Sequence, residues 1–221
     1  IEFPEDHTYI INNDKLIWEN IIKFGGLNTI KNLENEEMSE ENMSLLNKFL
    51  KVFNRELFRM GKFRSPRDKL VCLLNSCKII FSFLKKKKGD TSLTADDFMP
   101  LLIYSILKIS DKVEIENYWL LSSMSYIETF RRSEFLKGEE SYYLMSFQGA
   151  LQFILELDEE SIFTKIKVND EAKFKKQLDE RKGFLVAKEI EKEELVKKEL
   201  SKKKLEQNKK TQEQVNTEDE G

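Results

Sequence analysis

The sequence has few of the residues that loop-rich and β-rich proteins use. Among 221 residues only eight are glycine and three are proline, whereas a protein of many short strands needs such residues at its turns. Hydrophobic residues make up 40% of the chain and aromatic residues 11%, which is enough for a substantial buried core. The composition therefore predicts an all-α protein of one or two domains.

Cysteine and histidine are nearly absent. The chain has two cysteines, Cys72 and Cys77, and one histidine, His7. Two thiols five residues apart on a helix point in different directions, so we expect reduced core residues of a cytosolic protein rather than a disulfide. A single histidine near the start excludes His-based catalytic triads and His/Cys zinc sites.

The sequence also lacks a charge excess of either sign and a long apolar run. Its formal net charge is −3 and most of its 37 basic residues are lysine, which argues against a nucleic-acid surface built on arginine forks. No apolar run approaches the roughly 20 residues that span a bilayer, and no secretory signal is present. The chain begins at Ile1, which indicates an excised part of a longer protein.

Helical periodicity is strong in the first half of the chain. A short amphipathic helix is predicted over Lys15 to Phe24, and a long one over Ser39 to Gly61 with one apolar face. The next helix takes Ser65 as its N-cap and Pro66 as its first residue, and it ends near Lys88. Its apolar residues surround it almost completely, which is typical of a helix at the centre of a bundle.

The pattern in the second half of the chain predicts three more helical segments. A largely apolar helix runs to Ile109, residues 111–124 are irregular, and a short amphipathic helix covers Ser125 to Arg132. Residues 135–145 are predicted to form a loop, after which Ser146 is the N-cap of a last core helix.

The chain beyond Lys173 is highly charged. Glutamate is often followed four residues later by lysine, as in Glu193 and Lys197, and each such pair stabilises a helix by about 0.2–0.5 kcal/mol. The leucines do not keep a strict 3.5-residue repeat, so a coiled coil stays an open alternative to a single solvated helix. The last six residues are predicted to be disordered.

Two adjacent carboxylates, Asp96 and Asp97, stand at the start of the apolar helix. Inside a helix, Pro100 would leave the Asp96 carbonyl without a donor and clash with it. The helix is therefore predicted to start one or two residues after Thr94, with Pro100 in its first turn. Asp97 is then better placed to cap and Asp96 to project. Acids at a helix start also complement the dipole, by roughly 0.3–1 kcal/mol each, and this stretch alone favours that simpler interpretation.

Three segments, in this order, resemble one known domain. They are SPRDKLVCLLNSCKII (Ser65 to Ile80), ADDFMPLLIYSILK (Ala95 to Lys108), and YIETF with GEESYYLMSFQGALQFI (Tyr126 to Phe130, Gly138 to Ile154). The resemblance is to the catalytic domain named after the ninth vacuolar protein sorting factor, the exchange-factor domain for endosomal Rab GTPases of the Rab-five group. It implies a layered helical domain preceded by a helical bundle that supports it.

The resemblance and the charge pattern of the C-terminal part together divide the chain into three parts. Residues 1–62 are expected to be an N-terminal helical bundle segment, residues 63–165 the exchange-factor domain, and residues 166–221 a charged helical tail with a disordered end.

The resemblance also implies roles for four residues. The acid matching Asp96 enters the nucleotide site of the GTPase, and the tyrosine matching Tyr142 holds the switch region of the partner. Pro100 matches the proline of the same motif, and Met145 stands where the family usually has threonine, which removes a hydroxyl from the partner contact. We expect Tyr142 to point outward and Tyr143 to pack in the core.

These features predict a guanine-nucleotide exchange factor that binds the GDP-bound and nucleotide-free forms of a Rab-five-group GTPase. It performs no covalent chemistry and needs no cofactor or metal of its own. The protein is expected in the cytoplasm, recruited to early endosomes, with peripheral membrane contact through Lys85 to Lys88 as a weaker alternative to a solvated helix end. Two other functions stay open: an exchange-inactive Rab-binding module, and an adaptor whose C-terminal helix binds a coiled-coil partner.

Overall fold

The computed structural model describes residues 6–25, 40–89, 93–109 and 119–161, together with scattered positions between 172 and 201. The first four ranges contain six α-helices and one 3-10 turn: α1 (Asp6–Gly25), α2 (Glu40–Lys62), α3 (Pro66–Lys88), α4 (Ala95–Leu107), α5 (Leu120–Phe130), the turn Ser133–Phe135 and α6 (Glu139–Leu155). No strand occurs in these ranges, and the all-α fold class is confirmed.

The helices α2 and α3 agree with the sequence. At the start of α3, the Ser65 Oγ accepts the backbone N–H of Asp68 at 3.4 Å, and Pro66 occupies the first helical position. At its end, Gly89 adopts a φ of 70°, which favours glycine, and donates its N–H to the carbonyl of Lys85 at 2.9 Å. Both ends of α3 are therefore fixed by local chemistry that the sequence displays.

Two helices begin earlier than predicted. The helix α1 begins at Asp6 instead of Lys15, and α5 begins at Leu120, inside the segment predicted to be irregular. The N-terminus of α5 is capped by a carboxylate from α1, a contact between distant residues that periodicity does not reveal. Residues 111–118 of the same segment lie outside the described ranges.

The last core helix is also longer than predicted. Residues 139–145 are helical, so the loop assignment was wrong, and Ser146 is not an N-cap. Its hydroxyl instead donates to the carbonyl of Tyr142, one turn earlier, at 2.8 Å. The helix begins after Gly138, whose φ of 58° ends the preceding turn, and Glu139 and Glu140 in the first turn complement the helix dipole.

The helix α3 lies at the centre of the packing. It contacts α2, α4, α5 and α6, while α1 contacts α4, α5 and α6, which gives the layered arrangement expected. Fully buried apolar side chains line these contacts, among them Leu73, Ile80, Leu101, Ile127 and Leu151. Burying each contributes about 1.5–3 kcal/mol.

Both cysteines belong to this core. Cys72 and Cys77 are free and buried, as predicted. Burial raises the pKa of both thiols, so neither is a ready nucleophile.

Polar side chains of α1 cap the ends of two other helices. The buried Asp14 carboxylate accepts the backbone N–H groups of Leu121 (2.6 Å) and Ser122 (2.9 Å) at the start of α5. The Asn20 side chain donates to the carbonyl of Ile154 at 2.8 Å, near the end of α6. Helix ends carry backbone groups without intrahelical partners, so these bonds hold α1 in one position on α5 and α6.

The end of α1 also meets the end of α4. The Gly25 carbonyl accepts a hydrogen bond from Lys108 Nζ at 2.8 Å. A Cβ atom at Gly25 would overlap the carbonyl oxygen of Leu107, so only glycine allows this approach.

The chain divides into two compact units, Ile1–Lys175, which holds the six helices, and Lys176–Gly221. The described positions of the second unit are helical, as predicted. They include an ion pair between Lys176 and Glu180 (4.0 Å) and the Arg181 guanidinium over the Phe184 ring (5.3 Å). The last six residues lie outside the described positions, and within the described part of the chain no helix is both long and apolar enough to span a bilayer.

Candidate functional site

The start of α4 is fixed by reciprocal bonds between Thr94 and Asp97. Thr94 is the N-cap, and its backbone N–H and its hydroxyl both donate to Asp97 Oδ2, at 3.2 and 3.1 Å. The backbone N–H of Asp97 returns a bond to the Thr94 carbonyl at 3.2 Å. Asp97 is therefore the capping acid, as the sequence predicted.

Asp96, one residue earlier, is exposed. It is the second residue of α4, and in the described part of the chain its carboxylate makes no hydrogen bond and no ion pair. A short side chain on the first turn of a capped helix has few conformations to lose on binding. The structure thus leaves one carboxylate of the pair projecting and available, as the sequence predicted.

Pro100 lies inside α4 and not in its first turn. The helix begins at Ala95, one residue after Thr94, as predicted, but Pro100 is its sixth residue and lies in the second turn instead of the first. The capping bonds of Thr94 and Asp97 stabilise this start in spite of the proline. Because proline has no N–H, the main-chain carbonyl of Asp96 has no donor at the i+4 position.

Two aromatic residues of α6 point in opposite directions. Tyr142 is 43% exposed and Tyr143 only 7%, which confirms the predicted orientation of this pair. Met145 follows Tyr142 by three residues and is 68% exposed. Residues three apart on a helix are neighbours, so Tyr142 and Met145 present one continuous patch.

Phe98 joins the start of α4 to the tyrosines of α6. It is fully buried, two residues after Asp96, and its ring stacks on Phe81 of α3 with 4.7 Å between centroids. Its centroid lies 6.2 Å from that of Tyr142 and 5.9 Å from that of Tyr143. Phe98 has no distinguishing signal in the sequence, because it is one apolar residue in a largely apolar helix.

The start of α6 is held against α3 by an ion pair and by the buried ring of Tyr143, which contacts Phe81. Lys78 of α3 forms an ion pair with Glu139 at 3.2 Å. Burial, followed by the nearby Glu139 carboxylate, raises the pKa of Tyr143 to about 12. The helix that presents Tyr142 and Met145 is therefore held by aromatic packing and by an ion pair.

We call Asp96, Pro100, Tyr142 and Met145 the α4–α6 surface. Two of its members lie on α4 and two on α6, helices that pack against each other. Met99 of α4 also lies close to Gly149 of α6. A Cβ atom added at Gly149 would be 3.8 Å from the Met99 Cε atom. Among the described residues no group of three or more His, Cys, Asp or Glu side chains could hold a metal ion.

Comparisons with known proteins agree with this architecture. Residues 50–159, which include the second part of α2 and all of α3 to α6, match the vacuolar sorting protein 9 (VPS9) domain. Vacuolar protein sorting-associated protein vps901 of Schizosaccharomyces pombe is 34% identical over 184 residues, which are 82% of this chain and 30% of that protein.

Two further relatives cover less of the chain. Vacuolar protein sorting-associated protein 9A of Arabidopsis thaliana is 34% identical over 128 residues, 57% of this chain and 22% of that protein. The Rab5 GDP/GTP exchange factor of Mus musculus is 36% identical over 108 residues, 48% of this chain and 21% of that protein. The chain spans less than a third of each of these three relatives. It belongs, through residues 50–159, to the family of proteins that carry a VPS9 domain.

Proposed function

We propose that this chain is a guanine-nucleotide exchange factor for a small GTPase of the Rab-five group, and that Asp96 is the residue inserted into the nucleotide and Mg²⁺ site. One observation carries the proposal: of two adjacent acids on α4, Asp97 caps the helix and Asp96 is left exposed. The exchange activity in the name of the mouse relative supports the same function.

The chemistry of GTPases explains why a carboxylate serves this purpose. A small GTPase holds its nucleotide through Mg²⁺, backbone N–H groups of the phosphate-binding loop and a lysine. A carboxylate beside the β-phosphate pairs with that lysine, repels the phosphate and makes the metal position unfavourable. Lowering the barrier to GDP release by ~4 kcal/mol accelerates exchange about a thousandfold.

The α6 side of the surface supplies the docking contacts. Tyr142 offers an aromatic ring with a polar tip, the kind of side chain that dominates binding at protein interfaces. Its ring is held by Phe98, so docking loses little side-chain entropy. Met145 adds apolar area where a hydroxyl would otherwise lie, and it favours a partner with an apolar side chain at that point.

The finer features of this function are part of the same proposal. The protein acts in the cytoplasm on GDP-bound and nucleotide-free GTPase at early endosomes, with residues 63–165 as the exchange domain and residues 1–62 as its support. The caps that Asp14 and Asn20 provide support such a role for α1.

The test is release of a fluorescent GDP analogue from a panel of endosomal Rab GTPases at fixed Mg²⁺. We expect wild type to accelerate release from at least one Rab, and Asp96→Ala and Asp96→Asn to abolish the acceleration. Glu128→Ala is the matched control, because Glu128 is an exposed acid on another helix, α5. It should retain the wild-type rate.

Two results would contradict the proposal. Undiminished release with Asp96→Ala would remove the acid from the mechanism. No acceleration of any Rab by wild type would favour the exchange-inactive binding module, which should then prefer the GTP-bound form over the nucleotide-free GTPase.

A further inference from the structure

The second turn of α4 contains a proline that the helix does not need for its own formation. The helix begins at Ala95, capped by Thr94 and Asp97, so Pro100 is not a helix-start residue. Proline at this depth weakens a helix, because it removes one backbone hydrogen bond and its ring crowds the carbonyl four residues earlier. That carbonyl belongs to Asp96, the residue proposed to enter the nucleotide site.

We propose that Asp96 binds the GTPase through two acceptors, its carboxylate and its main-chain carbonyl, and that Pro100 is a positioning residue that keeps this carbonyl free. The inference rests on the proposed exchange function and deepens it. Without Pro100, the N–H of residue 100 would occupy the carbonyl, as the N–H of Phe98 occupies the Thr94 carbonyl at 3.2 Å.

Helix geometry separates the two acceptors of Asp96. The Cα–Cβ bond of a helical residue tilts toward the N-terminus of the helix, whereas its carbonyl is directed along the axis toward residue i+4. The Asp96 carboxylate is thus directed toward the nucleotide site of the GTPase, and the Asp96 carbonyl lies behind it, on the side of Pro100. The ring of Pro100 pushes that oxygen away from the helix axis, where a donor outside the helix can reach it.

The donor that fits this carbonyl is a backbone N–H or a side-chain N–H or O–H of the GTPase. It would lie between the nucleotide site, where the carboxylate acts, and the segment that docks on Tyr142. In the free protein, water can satisfy the carbonyl, because Asp96 is exposed. Binding replaces that water with a donor of fixed position, which discriminates the docked orientation from others.

The test compares two replacements of Pro100 in the GDP-release assay. Pro100→Ala removes the ring and restores an N–H. Lactic acid at position 100, introduced by nonsense suppression, also removes the ring but has an ester oxygen in place of N–H, so the Asp96 carbonyl stays free. Thermal unfolding of each protein is measured in parallel.

We expect Pro100→Ala to raise Tm and to slow exchange about tenfold, because the carbonyl is now bound within the helix. The lactic-acid protein should exchange several-fold faster than Pro100→Ala, because its Asp96 carbonyl stays free. A purely structural role for Pro100 could not produce this result, since it would make exchange fall together with Tm.

Every other pattern overturns the inference. If both replacements slow exchange equally, the ring itself contacts the GTPase, and if neither does, the carbonyl has no role. Asp96→Ala in the same assay separates this inference from the proposed function. If Asp96→Ala abolishes release while Pro100→Ala leaves it unchanged, only the inference fails, and if Asp96→Ala leaves it unchanged, the function of the acid fails as well.

Discussion

Asp97 binds back to Thr94, with one carboxylate oxygen accepting both the backbone N–H and the hydroxyl of that residue, at 3.2 and 3.1 Å. This relationship decides how the acid pair is divided. Asp97 is occupied at the helix start, and its neighbour Asp96 is the exposed carboxylate. Stability and exchange should therefore depend on different members of the pair.

The first prediction concerns the separate roles of Asp97 and Asp96. Asp97→Ala removes the capping acceptor and should lower the free energy of unfolding by about 0.5–2 kcal/mol, measured by urea denaturation. Asp97→Asn keeps an acceptor oxygen and should lose less. Asp96→Ala should leave the urea midpoint nearly unchanged while GDP release is lost. A larger stability loss for Asp96→Ala than for Asp97→Ala would contradict this division.

The second prediction concerns the two tyrosines. Tyr142→Ala should raise the GTPase concentration needed for half-maximal exchange tenfold or more, about 1.4 kcal/mol of binding, with little change in Tm. Tyr143→Ala truncates a buried ring that contacts Phe81 and Phe98, and should lower stability by about 3–5 kcal/mol. Exchange titrations and unfolding curves of both variants check it, and an unchanged titration for Tyr142→Ala would count against the docking role.

The features predicted from sequence are those that neighbouring residues determine. The cap of α3 at Ser65 and the capping role of Asp97 both depend on residues within one helical turn. The start of α5 depends instead on Asp14, more than a hundred positions earlier, and the role of Phe98 depends on rings from α3 and α6. No local pattern contains such contacts.

The position of Pro100 shows the limit of a local rule. Proline normally marks the first turn of a helix, and that rule placed Pro100 in the first turn of α4, whereas it lies in the second. The bonds between Thr94 and Asp97 stabilise a start at Ala95 despite the proline. Where two local preferences conflict, the sequence alone does not weigh them.

The third prediction concerns the buried Asp14. Asp14→Ala leaves the N–H groups of Leu121 and Ser122 without their acceptor, and should lower the free energy of unfolding by about 1–3 kcal/mol at neutral pH. Glu19→Ala is the matched control, because Glu19 is an exposed acid on the same helix. It should change stability by less than about 0.5 kcal/mol.

Asp14 also predicts a pH dependence. Burial raises the pKa of Asp14 above its ordinary value of 3.8, partly offset by the hydrogen bonds it accepts. The folded state thus binds the proton of the Asp14 carboxyl group more tightly than the unfolded state does. Its contribution to stability is complete below pH 3.8 and declines as pH rises through the folded pKa. Unfolding free energies of wild type minus Asp14→Asn should fall with pH in this window, and a rise there would contradict the burial argument.

The fourth prediction uses two helical glycines. Gly25→Ala places a Cβ atom against the Leu107 carbonyl and should destabilise the protein by about 1–3 kcal/mol, because backbone must move. Gly183→Ala is the matched control, since among the described residues no atom outside its own stretch of helix lies within 4 Å of the added Cβ. The control should not lower Tm, and a comparable loss for both variants would show that helix propensity, and not the approach of α1 to α4, is being measured.

The last prediction concerns selectivity at Met145. The side chain is 68% exposed, so Met145→Thr and Met145→Leu should each change the free energy of unfolding by less than about 0.5 kcal/mol. Met145→Thr replaces apolar contact with a hydroxyl, and it should change the order of preference among Rab GTPases, by about three- to tenfold in the concentration for half-maximal exchange. Met145→Leu keeps the apolar contact and should keep the wild-type order. Because Met145 and Tyr142 lie on one face of α6, a partner that docks on the tyrosine must also meet residue 145. An identical order of preference for all three proteins, in GDP-release titrations across the panel, would place Met145 outside the interface.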